Sequence, residues 1–231
     1  MTTNINSIRL WLILATTAML AGCPNINSDL ALADGERSGG DLETVNGSVS
    51  VGEGATVAGD VGTINGAVTL GANSRAEGVE TVNGRIRIGD GAELARAESV
   101  NGAIEIAAGV RVREQVETVN GGITIGNGSE VSGSVRAVNG QIRLQGASVG
   151  SIHGIRGGVV LERGSRVLGT LTIGKAGSVE GDDPVLVEIQ ADCEVVGPLV
   201  FERPVTLRVH ESARIGEVRG AEVIRFGNSA D

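Results

Sequence analysis

The chain of 231 residues carries 28 acidic and 19 basic side chains, a net charge of −9. Such a surface repels phosphate backbones and anionic headgroups, which excludes nucleic acid as a partner and a polybasic attachment to membranes. With no Tyr, two Phe and one Trp, at position 11, it has no aromatic platform for stacking bases or sugars, while 37 Gly among Val, Ile, Leu and Ala suit narrow, closely stacked β structure.

The chain opens with Arg9 ahead of an apolar run from Leu10 to Leu20, followed by Ala21-Gly22-Cys23. A charged start, a short apolar stretch and small residues describe an export signal, and the run is too short to span a bilayer. Leu20-Ala21-Gly22-Cys23 resembles the lipobox of bacterial lipoproteins. That resemblance implies removal of residues 1–22 and acylation of Cys23 as the new first residue. It also implies, because Pro24 and not Asp follows, residence at the outer membrane. More than one acyl chain is needed for stable anchoring, at about 0.8 kcal/mol per buried methylene. The alternative is a plain secretory signal with an incidental cysteine. Residues 23–40, rich in Asn, Ser, Asp and Gly, read as a flexible tether.

Next comes an internal repeat. Val/Ile-Asn-Gly recurs with Asn46, Asn65, Asn83, Asn101, Asn120 and Asn139, at intervals of 18 or 19 residues. Each triplet precedes an alternating aliphatic pair (Val49/Val51, Val68/Leu70, Ile86/Ile88, Ile104/Ile106, Ile123/Ile125, Ile142/Leu144) and then a Gly-rich corner. Period-two alternation in short runs gives strands with one inward face. A hairpin meander would put equivalent residues in unlike environments; a coil returns each to the same place one rung higher. The expectation is an all-β fold, a single-stranded parallel β-helix of about ten coils of 17–19 residues over 41–227, with a tail at 228–231. No coil can bury its apolar face alone, so neighbours must supply the contacts.

Stacking gives the polar positions their roles. The six asparagines are expected to form a ladder of amides at tight, positive-φ corners. Thr44, Thr63, Thr81, Ser99 and Thr118, each two places earlier, make a Thr-x-Asn array that would bind ice if it faced outward; β-surface hydroxyls bonding along the column are the plainer expectation. Glu80, Glu98 and Glu117 form a carboxylate column whose members either splay into solvent or share a divalent cation. Between the inward aliphatics, Arg87 beside Glu105 reads as a weak surface pair.

From Gly140 the pattern drifts. Ile155-Arg156-Gly157 aligns with Val138-Asn139-Gly140, and Val218-Arg219-Gly220 is a fainter echo, while Phe201, Pro198, Pro204 and Phe226 gather where the last rung must close. Cys193 has no intramolecular partner once Cys23 is acylated; it reads as a small buried side chain, with an intermolecular disulfide as the alternative. The repeated Val-Asn-Gly-x-Ile-x-Ile-Gly and the later Gly164-Ser-Arg-Val-Leu-Gly169 and Gly177-Ser-Val-Glu-Gly181 units resemble those of bactofilin-type polymer-forming proteins and of adhesin-like β-helix domains. The resemblance implies a right-handed coil, no cofactor, no catalytic residues and end-to-end self-assembly, although a lipobox would place this chain on the other side of the membrane from bactofilins. The two histidines, His153 and His210, join no nucleophile or metal-ligand spacing, and the six-residue pattern of the hexapeptide acyltransferases is absent. The expected function is a non-enzymatic, lipid-anchored envelope element: a scaffold, an adhesin-like surface or a polymer subunit, with itself, an envelope protein or a polysaccharide as partner. A surface array for ice or cations, or a β-helix enzyme acting on envelope polysaccharide, are the alternatives.

Overall fold

The computed structural model describes residues 26–175 and 183–227. Among these every strand pairing is parallel and there is no helix. Each coil contributes a short strand such as Ile104–Ile106 to an eleven-stranded sheet. The chain then turns a corner, makes a two-residue strand such as Arg111–Val112, and continues into a longer one such as Val116–Asn120; both lie in a fifteen-stranded sheet. The protein is thus a parallel β-solenoid of the predicted kind.

Registers hold residue over equivalent residue. Ile104 sits between Ile86 and Ile123, and Ile106 between Ile88 and Ile125, so two aliphatic columns run through the first sheet up to its last strand. They are fully buried, from Val49 and Val51 to Leu207 and Val209, and each such side chain contributes about 1.5–3 kcal/mol. Outward residues alternate with them: Arg87 and Glu105 are 3.3 Å apart and about half exposed, a pair of little energetic weight.

Two corners have different glycine requirements. At one, Gly35, Gly54, Gly91, Gly109, Gly128, Gly146 and Gly164 have φ between 65° and 74°, with Asn73 and Asp192 in the same conformation on other coils. The Asn-Gly corner is not of this kind, which corrects the sequence expectation: neither the six asparagines nor the glycines after them have positive φ. Glycine is needed there for close approach. A Cβ on Gly66, Gly84, Gly102, Gly121 or Gly140 would collide with the carbonyl oxygen of the glycine one coil earlier.

The start of the solenoid also differs from expectation. Leu30–Leu32 pairs with Val49–Val51, and Arg37–Ser38 with Thr56–Val57, so the described part of the supposed tether, from residue 26, is itself the first coil. Polar composition concealed it: a terminal coil buries fewer side chains, so its apolar pattern is short. Residues 1–22, Cys23 and the tail 228–231 lie outside the described residues.

Later coils vary in length without breaking the stack. Val159 pairs with Val187 across a coil longer than the 17–19 residues expected, and residues 176–182 of that coil lie outside those described. Gly157 stacks on Gly140, as the sequence alignment requires. Val218-Arg219-Gly220 is no echo of the asparagine corner: Val218 stands over Leu199 and Arg219 over Val200, in the second sheet's own columns. Closure comes less from the aromatics than from a cation. Arg225 occupies the inward column above Val209, and its guanidinium donates to the carbonyls of His210 (3.1 Å) and Ala213 (3.3 Å). Phe226 packs edge-on against His210 with ring centres 5.3 Å apart, and the Arg208 guanidinium lies 5.0 Å from its centre.

Alanine at Gly102 is expected to cost about 1–3 kcal/mol, the usual range for overpacking. Alanine at Gly39, where a Cβ meets nothing within 4 Å, should change stability by less than about 0.5 kcal/mol. Urea unfolding followed by circular dichroism measures both.

Candidate functional site

The second sheet's long strands carry the chemistry-bearing columns. In Val116–Asn120, Val116 and Thr118 point inward, Glu117 lies on the opposite face, and Asn120 ends the strand. The same order recurs in Leu42–Asn46, Gly78–Asn83 and Arg96–Asn101, and in Val61–Asn65 with Gly62 at the glutamate position, because the parallel register aligns them residue for residue.

The asparagines form a continuous ladder. Each Nδ2 donates to the Oδ1 one coil earlier at 2.8–2.9 Å, from Asn139 through Asn120, Asn101, Asn83, Asn65 and Asn46. Asn46 in turn donates to Asn27 at 2.8 Å, a seventh member that sequence reading missed although its spacing of 19 residues repeats the period. The threonines are buried, and Thr44, Thr63, Thr81 and Thr118 donate to carbonyls of Ser28, Gly47, Gly66 and Gly102 at 2.8–3.1 Å. The hydroxyls of the Thr-x-Asn array are therefore not at the surface, whereas the asparagines are exposed.

Glu80, Glu98 and Glu117 are stacked on consecutive coils, as their spacing implies. They are not splayed into solvent: Glu98 is 4% exposed and Glu117 8%. Nor are they gathered about a cation, since among the described residues no group of three or more His, Cys, Asp or Glu is placed to hold a metal. Protein donors take that role. Arg96 reaches Glu80 at 3.0 Å and Asp60 at 2.7 Å, Gln115 donates to Glu98 at 2.8 Å, and Arg136 meets Glu117 at 3.1 Å. Arg136 occupies the glutamate position on the next coil, and His153 the one after. The signal for these partners was the loss of Glu at position 136 and the polar residues two places before Glu98 and Glu117.

The neutralisation is uneven. Burial pushes the pKa of all three carboxyls upward; Glu98 adds to the rise at Glu80 and Glu117 to that at Glu98, while the arginines and Gln115 pull the other way. Glu43, at the lower end of the column, is raised by burial and by Asp41, Glu80 and Asp60. Burial, then Arg136, lowers His153. His210 lies far along the chain on Val205–His210, with Ser212 Oγ 3.0 Å from its Nδ1. Two polar surface hollows, one beside Arg166, Asp192 and Arg214 and one beside Gln145, Glu162 and Gln190, include no member of the column.

Cys193 is buried just before Glu194, the position held by Ser129, Ala147, Ser165 and Ala213 on other coils. Its thiol contacts the Glu162 carbonyl at 3.1 Å, and burial raises its pKa. A disulfide to another molecule would require this coil to open. Neither a family model, nor a curated protein, nor a solved structure matches the chain.

The carboxyl shifts set a pH dependence with a definite sign. Raised values mean that the fold holds these protons more tightly than the unfolded chain. Stability therefore rises as the pH falls from neutral through the raised values towards 4.5, the ordinary value, and is lowest once all three are ionised. Urea midpoints should be higher at about pH 5 than at pH 7.5, and Glu98→Gln should raise the midpoint at neutral pH and flatten the slope. Arg96→Met should instead cost about 2–3 kcal/mol at neutral pH, and less in acid, by leaving Glu80 and Asp60 unpaired. For Cys193→Ser, thermal unfolding should show a change under about 1.5 kcal/mol.

Proposed function

We propose that this protein is a non-enzymatic structural rod of the bacterial envelope, anchored by lipid on Cys23, that holds a fixed spacing between the membrane and an envelope protein or polysaccharide. One observation carries the reading: the repeated polar side chains are engaged in rung-to-rung bonds. Asparagine amides bond to asparagine amides, threonine hydroxyls to glycine carbonyls, and Glu80, Glu98 and Glu117 to Arg96, Gln115 and Arg136. A surface organised this way serves rigidity. Eleven rungs at about 4.8 Å give a rod roughly 50 Å long.

A second reading, end-to-end assembly of the bactofilin kind, has one observation in its favour. Among the described residues no strand pairs with the outer edge of Val223–Phe226, where Val223 is 37% and Ile224 53% exposed. An unpaired edge invites another strand, but an inward-facing charge is a recognised means of discouraging it, and Arg225 is such a charge.

The test is light scattering with negative-stain microscopy on the mature protein across concentration, with fractionation of Cys23→Ser beside it. Monomeric rods near 50 Å, and a Cys23→Ser protein released from the membrane fraction, are expected. Filaments one coil wide that lengthen with concentration would replace the scaffold by the polymer. Membrane retention of Cys23→Ser would remove the lipid anchor.

A further inference from the structure

Hydrogen bonding to the second coil reaches back to residue 26, three residues after Cys23 in the sequence. The Ile26 carbonyl accepts from Asn46 N–H at 3.0 Å, the Asn27 amide oxygen from Asn46 Nδ2 at 2.8 Å, and the Ser28 carbonyl from Thr44 Oγ1 at 3.0 Å. Three residues fully extended span about 10 Å. An acyl group on Cys23 would therefore hold the first coil at the bilayer surface, with no slack for the rod to hang away from it.

The two ends of the rod differ in chemistry. At the first coil, Leu30, Leu32 and Leu42 lie in the core columns beside Val49, Val51 and Val61. Those valines are at most 2% exposed, whereas the three leucines are only partly buried, because no described strand pairs with their outer edge. Three acidic residues of this coil direct their carboxylates away from that open edge: Asp29, Asp34 and Asp41 accept from the N–H groups of Ser48, Glu53 and Asp60 on the next coil, at 2.7, 2.8 and 2.9 Å. The far end has Arg225 in one core column and Val223, 37% exposed, in the other. A head-to-tail second copy would set Val223 over Leu30 and Val218 over Leu42 but the Arg225 guanidinium over Leu32, an unfavourable match at that one column.

We propose that the open first rung docks end-on against the lipid surface, with Leu30, Leu32 and Leu42 towards the bilayer and the rod standing on the membrane. The inference rests on acylation of Cys23 and adds to it an orientation and a contact surface. Burying the leucine edge in the interfacial region removes apolar area from water, while the carboxylates turned towards the second coil stay hydrated. The lipid anchor then fixes which end faces the membrane and the rung fixes the tilt.

The experiment uses the full processed protein reconstituted into supported bilayers of phosphatidylcholine and phosphatidylethanolamine, with the N-terminal peptide analysed by mass spectrometry. Neutron reflectometry is expected to show a protein layer about 50 Å thick lying directly on the headgroups. A fluorophore on Ala31→Cys should be quenched by brominated acyl chains several-fold more than one on Ile224→Cys. An acylated Cys23 with a thin layer, or with equal quenching at both positions, overturns end-on docking and leaves the anchor standing. An acylated protein forming dimers in detergent and layers near 100 Å would mean that a second copy covers the rung, and also overturns it. An N-terminal peptide without lipid removes the anchorage, and the docking with it.

Discussion

The constraint on which the structure depends is the spacing of parallel rungs. Hydrogen bonding holds successive coils about 4.8 Å apart, so every side chain lies over its counterpart at close to van der Waals distance. A column therefore works only when its residue type tolerates its own repetition. Isoleucine over isoleucine buries both, as at positions 86, 104 and 123. Asparagine over asparagine bonds donor to acceptor. Glycine over glycine lets one backbone approach the carbonyl of the next where a methyl group would collide.

Carboxylate over carboxylate fails this test, and the protein's treatment of that column is correspondingly different. At about 5 Å and an effective dielectric of 20, two ionised groups repel by roughly 3 kcal/mol. The repeat is tolerated for three coils because its environment is not repeated: Arg96 serves the first glutamate, Gln115 the second and Arg136 the third. Arg136 does so by replacing the fourth glutamate in the stack, which ends the like-charge run with an opposite charge. Glu98 has the poorest arrangement, with a neutral donor and a carboxylate on either side. A column built for stability alone would be aliphatic or alternating in sign.

The same constraint governs what could be read in advance. Period, inward columns and the asparagine ladder were legible because each is a repeated residue in a repeated place. The environment of the glutamates was not, because it is set by residues that do not repeat: Arg96 and Gln115 hold equivalent places but differ in type, and Arg136 stands in the glutamate column itself. The role of the corner glycines was misassigned for a related reason. Positive φ and close approach both demand glycine, and only the backbone shows that Gly91 answers the first and Gly102 the second. The first coil was hidden because a terminal rung needs only half the apolar pattern; Leu30 and Leu32 alternate correctly, but two leucines amid Asp, Ser and Asn look like linker.

A solenoid makes its ends the exceptional places, since every interior rung has a neighbour on both sides. In this protein the two ends solve the problem differently. The last rung places Arg225 at the end of one core column and satisfies its guanidinium with the carbonyls of His210 and Ala213, beside the exposed Val223 and Ile224. The first rung leaves leucines partly uncovered while Asp29, Asp34 and Asp41 bond towards its neighbour. An end with leucine in both columns of the first sheet and an end with arginine in one of them give the rod a direction. That direction follows from side chains at the two termini alone, and it is the property a spacer needs if one end is to meet lipid and the other is to meet the aqueous envelope.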